Sequence, residues 1–289
     1  MEYINAIIQG IIQGLTEFLP VSSSGHLALY QHFSNIKGDD ATLLSVLLHL
    51  GTLAAVFIVY YKTIFELIIE FFSMVKDIFT RKFTMRRMNP NRRMIIMLFI
   101  SCVPLLLLLI PVGGGKKIMD VVSGLATDND IIVEGVAFLF TAFLLIYGAS
   151  LAQKKRRIHK INTTDAVAIG FAQLAAAAFA GVSRSGSTIS TGMICGVRKE
   201  YMVRYSFILG IPAILAANVV EIKDAVQAGS TVNVGAAILG IIVAAAVGVC
   251  AIKLLEILVK KDMFKYFGYY CLALGAVTTV YGIVELAVK

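Results

Sequence analysis

Long apolar runs alternate along the chain with short polar breaks, and the breaks are the informative part. Residues 3–19 are apolar but interrupted by Gln9, Gln13, Thr16 and Glu17; Pro20 stops a helix, Ser22-Ser23-Ser24-Gly25 forms a polar turn, and 26–34 resume a short mixed segment. Residues 41–61 predict a first full span. In 62–93, Ile64, Leu67, Ile68, Phe71 and Phe72 lie among Lys62, Glu66, Glu70, Lys76 and Asp77, the pattern of an amphipathic helix at a membrane interface. That segment ends in the basic run Arg81, Lys82, Arg86, Arg87, Arg92 and Arg93. A second span is expected over 94–112, a loop over 113–130, and a third span over 131–151, closed by Lys154-Lys155-Arg156-Arg157. The order then repeats: a short Ala-rich helix over 166–180, a polar turn at 181–187, a returning helix at 188–197, and spans over 205–220, 232–259 and 266–288.

The paired short helices fall below the ~20 residues a membrane span needs, so each pair reads as a re-entrant hairpin. Such backbone is tolerated at membrane depth only where it is buried in protein or lines a cavity. The fold class is therefore an all-α polytopic membrane protein with an inverted-topology repeat, each half one re-entrant hairpin plus three transmembrane helices. The whole chain, 1–289, forms a single membrane domain: repeat one 1–153, a basic connector 154–161, and repeat two 162–289. Three crossings per half invert the second copy, and such repeats place their sites near the midplane, where interrupted helices meet. The two turns also match in sequence: Val21-Ser22-Ser23-Ser24-Gly25 recurs as Val182-Ser183-Arg184-Ser185-Gly186.

Composition agrees with a membrane chain: 58% hydrophobic and only 15% charged, against roughly a quarter charged in soluble domains. The net charge of +8 would suggest nucleic acid in a soluble protein; here it is a topology signal, and no nucleic-acid partner is expected. Twenty of the 26 Lys and Arg residues fall on one side of the proposed layout and five on the other, Arg184 standing alone inside a hairpin. The basic side is cytoplasmic by the positive-inside rule. That orientation puts both termini and the mouth of the first hairpin on the outer face of a bacterial plasma membrane. Cys102, Cys195, Cys250 and Cys271 lie in or beside apolar segments without C-x-x-C spacing and read as small hydrophobes. The N-terminus has neither the basic region nor the cleavage site of a signal peptide.

Glu17, His26 and Arg184 are ionisable groups at membrane depth, where each costs several kcal/mol unless paired or functional. A plain ion pair between the hairpins would account for Glu17 and Arg184 but not for their company. Ser22, Ser23, Ser24, Ser183, Ser185, Ser187 and Thr188 surround them with hydroxyls, and His26 and Thr188 open the returning helices, whose N-termini favour anions. Arg184 offers a planar fork to phosphate oxygens. An anion site results, with phosphate as its natural ligand. Glu17 then holds a divalent metal or serves as a base, and His26 is an acid, a base or a nucleophile; Ser23, one turn from His26, is the other nucleophile candidate. His49, within the first span, reads as a packed polar residue, and Gly113-Gly114-Gly115-Lys116 lacks the spacing of a phosphate loop.

At Gly14–Leu27, reading G-L-T-E-F-L-P-V-S-S-S-G-H-L, and at 181–188, reading G-V-S-R-S-G-S-T, the chain resembles the undecaprenyl-pyrophosphate phosphatases, the bacitracin-resistance integral membrane proteins. Arg204–Leu215 adds to the likeness. The resemblance implies removal of the terminal phosphate from a C55 polyprenyl pyrophosphate, recycling the carrier lipid of peptidoglycan synthesis and consuming the target of bacitracin. It implies Glu17 as the essential acid, Ser23 and His26 as catalytic candidates, Arg184 as the phosphate-binding arginine, Mg²⁺ or Ca²⁺ dependence, and a site reached from outside. The family's first acidic position is Gln13 here, a weaker metal ligand, and the usual Pro-Gly of the second motif is Ala180-Gly181. The expected partners are a polyprenyl pyrophosphate and membrane lipids, with a homodimer left open. The competing reading is a transporter or flippase of the same carrier, which would need Arg184 and the hydroxyls but no nucleophile. A second lipid-phosphatase motif set, with His six residues after the arginine, is excluded because that position is Ser190.

Overall fold

The computed structural model describes residues 2–36, 39–84, 88–113, 116–119, 131–154, 159–227, 229 and 232–288. Among these the chain forms ten α-helices. They are α1 (Glu2–Phe18), α2 (Ser23–Phe33), α3 (Asp39–Phe79), α4 (Pro90–Cys102), α5 (Ile132–Lys154), α6 (Thr163–Ala178), α7 (Arg184–Cys195), α8 (Lys199–Gln227), α9 (Val234–Lys260) and α10 (Phe264–Val288). Six helical stretches are long and apolar enough to cross a membrane: Leu43–Phe79, Pro90–Leu109, Ile132–Gln153, Lys199–Ala225, Val234–Lys260 and Phe264–Val288. The chain is a polytopic all-α protein, as its hydropathy requires.

Helix starts follow local side-chain chemistry. Ser22, Asn89, Asn162, Ser183 and Asn233 each cap a helix by accepting a backbone N–H three residues on, which satisfies a donor the helix leaves orphaned. Asn162 and Asp165 complete a reciprocal capping box. Gly196, left-handed at φ 98°, ends α7.

Several boundaries differ from the sequence reading. The first span and the amphipathic segment after it are one helix, α3, bent at Tyr60 (φ −106°, ψ 22°). No Gly or Pro interrupts 52–79, and its acids are used by the start of α4: Arg92 pairs with Glu70 at 2.7 Å and Asp77 at 2.9 Å. The second span begins at Pro90 and tightens after Cys102 into a 3₁₀ helix, Val103–Leu109, where Pro104 cannot donate a hydrogen bond. Within the expected 113–130 loop, Lys116–Lys117 pairs antiparallel with Pro111–Gly113; residues 120–130 lie outside the described residues, as do 155–158 of the connector. The returning helices start earlier than expected, α2 at Ser23 and α7 at Arg184. The serines therefore form the first helical turns, while His26 and Thr188 lie one turn further in.

Packing sets the hairpins among the long helices. α1 lies on α9, α6 on α4 and α7 on α5, while α3 meets α8 and α5 meets α10. The α1–α9 contact is very close. A Cβ added at Gly10 would sit 2.7 Å from the Gly240 carbonyl, and one at Gly14 2.7 Å from that of Ala244. Small residues four apart on both helices allow this approach, the usual solution where lipid supplies no hydrophobic drive between helices. Cys102, Cys250 and Cys271 form no disulfide among the described residues.

Candidate active site

Both hairpin turns are built alike. Each holds one residue in the left-handed region, at different places: the cap Ser22 itself at φ 72° in the first, and Gly181 at φ 87°, two residues before the cap, in the second. Each then places a capping serine before its returning helix: Ser22 Oγ accepts from Gly25 N at 3.2 Å, Ser183 Oγ from Gly186 N at 3.0 Å. The turns meet at Glu17, at the end of α1. Arg184 Nη2 donates to Glu17 Oε1 at 2.5 Å, Ser23 Oγ to Glu17 Oε2 at 2.7 Å, and Gln13 Nε2 to Oε2 at 3.1 Å. The Ser185 hydroxyl reaches the Glu17 carbonyl at 3.4 Å. Glu17 is only 8% exposed, and this dense donor set is what makes a buried carboxylate tolerable.

A cavity of about 240 Å³ opens over this junction, lined by Glu17, Ser22, Ser23, Ser24, Ser183, Arg184 and Ser185. The first turns of α2 and α7 thus present hydroxyls and N-terminal amides to one space, where an anion is favoured. Arg184 Nη1 also donates to the Ser206 carbonyl at 3.2 Å. The guanidinium rests against Gly210, where any Cβ would collide with it. Position 210 must therefore be glycine for the fork to lie as it does.

The structure separates two expected site residues from this cavity. In His26, Nδ1 donates to the Ser22 carbonyl at 2.7 Å, so Nε2 of the neutral ring accepts from Tyr270 Oη at 2.7 Å. The ring sits edge-on to Phe138 and is not among the cavity's lining residues. Thr188 is fully buried, donating to the Arg184 carbonyl at 2.9 Å and paired with Ser206 Oγ at 2.6 Å. Its hydroxyl backs the Arg184 turn instead of facing the cavity.

Three lining residues escaped sequence reasoning: His49, Asn218 and Glu221. His49 Nδ1 donates to the Ser45 carbonyl at 2.9 Å, leaving Nε2 3.7 Å from Glu17 Oε2. The available signal was a polar stripe, Ser45, His49 and Thr52, at helical spacing in an apolar span. Asn218 and Glu221 sit at the end of a span, where polarity is unremarkable.

Two buried amide oxygens at the site, Gln13 Oε1 and Asn218 Oδ1, have no hydrogen-bond partner among the described residues. Gln13 Oε1 belongs to the side chain whose Nε2 contacts Glu17, so one hard amide oxygen lies beside the carboxylate. Among the described residues no group of three His, Cys, Asp or Glu could hold a metal ion. Mg²⁺, however, is commonly held by one or two carboxylates with the remaining positions on water and substrate phosphate. The residues present fit that mode.

The chain matches known proteins over nearly its whole length. Residues 6–277 match the family described as Bacitracin resistance protein BacA. The chain is 36% identical to the undecaprenyl-diphosphatase of Alkaliphilus metalliredigens over 284 residues, 98% of this chain and 100% of the relative. It is 35% identical to the undecaprenyl-diphosphatases of Desulfatibacillum aliphaticivorans, over 97% of this chain and 99% of the relative, and of Bacteroides fragilis, over 97% and 98%. Matches of this extent, spanning both hairpins and all six long helices, place the chain in the BacA family of bacitracin resistance proteins.

Proposed function

We propose that this chain hydrolyses undecaprenyl diphosphate to undecaprenyl phosphate and inorganic phosphate, returning the carrier lipid to its monophosphate form. The observation that carries the chemistry is the Glu17 carboxylate clamped between Ser23 at 2.7 Å and Arg184 at 2.5 Å. A hydroxyl donating to a buried carboxylate is a nucleophile beside its base. Ser23 Oγ attacks the terminal phosphorus and Glu17 accepts its proton. The bond to the bridging oxygen breaks, and the lipid monophosphate leaves. Water then attacks the phosphoserine, releasing phosphate and restoring the Ser23 hydroxyl. Arg184 and the helix N-termini hold the equatorial oxygens, where charge is spread in the transition state. Hydrolysis is favoured over transport because transport needs no nucleophile–base pair.

Glu17 and Gln13 Oε1 are the residues that would hold a divalent cation. Such an ion would supply neutralisation of charge on the phosphate oxygens.

The finer architecture belongs to the same proposal: two re-entrant hairpins related by an inverted repeat, with the active site opening to the outer face. Two features support it. Helices α1–α5 and α6–α10 run in the same order, and contacts exchange between halves, α1 on α9 answering α6 on α4. The Lys and Arg excess lies on the side away from the first hairpin's mouth.

The test is phosphate release from a long-chain polyprenyl diphosphate by purified protein in detergent. Glu17→Gln is expected to lower kcat by about 10²–10⁴-fold, and EDTA to suppress turnover. Undiminished release by a folded Glu17→Gln variant would remove Glu17 from the mechanism.

A further inference from the structure

A second cavity, about 750 Å³, lies among α3, α4, α8 and the segment before α6. Arg93, His159, Lys160, Arg198 and Arg204 line it, against two carboxylates, Glu200 and Glu256. It is distinct from the Glu17 site. On α3 its wall is Tyr60, eleven residues beyond His49, or roughly 16 Å at 1.5 Å per residue. On α8 its wall ends at Arg204, while the active-site cavity begins at Ala213. Between them Phe207 packs against Phe18 at 5.1 Å and against Tyr60 at 6.3 Å, an aromatic partition separating the two spaces.

His159 is engaged by the Cys195 carbonyl at 2.9 Å and by Asp165 at 3.5 Å, whereas the arginines are largely uncommitted. Glu256 accepts from Tyr60 Oη at 2.7 Å, so it is held at the wall. Glu200 lies 3.9 Å from Arg198, a loose contact between exposed side chains. Arg93 uses only Nε, on the Ile161 carbonyl at 2.9 Å. Arg204 makes no hydrogen bond or ion pair with a described residue. Two helices start at the rim, α4 at Pro90 and α8 just after Arg198, and Ile161 precedes the cap of α6, so three positive helix ends converge on the arginines. An apolar groove of about 540 Å³ lies between α3, α4 and α8, lined by Ile64, Phe71, Ile95, Phe99, Ile208 and Ile211 among others. Tyr60 and Ile64, like Arg204 and Ile208, are four residues apart and share a helix face across the two spaces.

We propose that this cavity is a second phosphate site, separate from the active site, which takes the phosphomonoester headgroup of a membrane lipid whose chain lies in the neighbouring apolar groove. Guanidinium forks suit a phosphate dianion, and an apolar groove beside a cationic cavity fits an amphiphile better than a free ion. The reading is independent of the hydrolytic mechanism.

Binding of a radiolabelled long-chain phosphatidic acid to the purified protein in uncharged detergent tests it. An Arg184→Ala background weakens the first site. In that background one site is expected to remain, and Arg93→Gln with Arg204→Gln is expected to weaken it at least tenfold. In the otherwise wild-type chain the same two changes leave diphosphate hydrolysis within about twofold, which reports that the protein is folded. Should the double variant fail to assemble, Lys160→Gln, at an exposed position, is expected to weaken binding about threefold. Binding that ignores these substitutions, or that disappears with Arg184→Ala alone, overturns the second site. Competition by inorganic phosphate as effective as by the lipid overturns the assignment of the groove to a lipid chain.

Discussion

The two hairpin tips carry the same five-residue pattern, Val-Ser-x-Ser-Gly, and share a capping serine followed by a helix whose first residue is x, although the cap is left-handed at Ser22 (φ 72°) and extended at Ser183 (φ −68°). They differ at x. In the first tip x is Ser23, and in the second it is Arg184; the two reach opposite oxygens of the same carboxylate, Glu17 Oε2 and Oε1. The capping hydroxyls Ser22 and Ser183 are spent on backbone and hold the turn. A repeated sequence device thus supplies two equivalent positions that meet at Glu17, and divergence at a single position puts a hydroxyl at one and a guanidinium at the other. The acid itself, Glu17, has no counterpart in the second half, where the matching helix end is Ala178.

Erasing that difference gives the largest expected effect. Arg184→Ser would make the tips alike, removing the fork and leaving Glu17 without its cation. Phosphate release is expected to fall by about 10³-fold, as for loss of a preorganised transition-state donor, in steady-state kinetics on protein that still elutes as a single folded species. Ser23→Ala asks the reverse, deleting the proposed nucleophile while leaving Arg184 on Glu17. The expected loss is about 10²–10⁴-fold in kcat with KM little changed, whereas Ser24→Ala, whose hydroxyl lies 3.5 Å from Ser22 Oγ, is expected to cost less than tenfold; equal effects of the two would dissolve the special standing of x. The smallest effect is Thr188→Val. Its hydroxyl pairs with Ser206 behind the turn, so turnover should stay within about threefold while thermal unfolding reports a loss of about 1 kcal/mol.

Much of this was legible in one dimension. Six spans follow from runs of apolar residues, because a helix that must satisfy its backbone inside lipid announces itself by length and composition. The hairpin turns were visible because Pro20, the serine clusters and Gly181 interrupt otherwise apolar sequence, where polarity is expensive. Helix boundaries were read less well. The interfacial helix merged into α3 because Glu70 and Asp77 found Arg92 across a loop, a pairing no local pattern reveals. His49 was passed over because one histidine in an apolar span is ordinarily a packed residue, and only the arrival of α1 beside it makes it a neighbour of Glu17.

What the sequence determined by itself, then, is the class of molecule, its six long apolar helices, and a short set of polar groups from which a site could be drawn, all of which rest on short-range spacing and on the cost of polarity in an apolar run. Only the tertiary structure decided which of those groups meet. It turned His26 onto Tyr270 and Thr188 onto Ser206, both outside the cavity, and it brought Ser23 and Arg184 onto one carboxylate. These outcomes depend on contacts between residues far apart in the chain, such as Gly210 yielding room for a guanidinium and Gly14 admitting α9. Such contacts are fixed by how closely helices can approach, a property of packed pairs that neither helix carries alone.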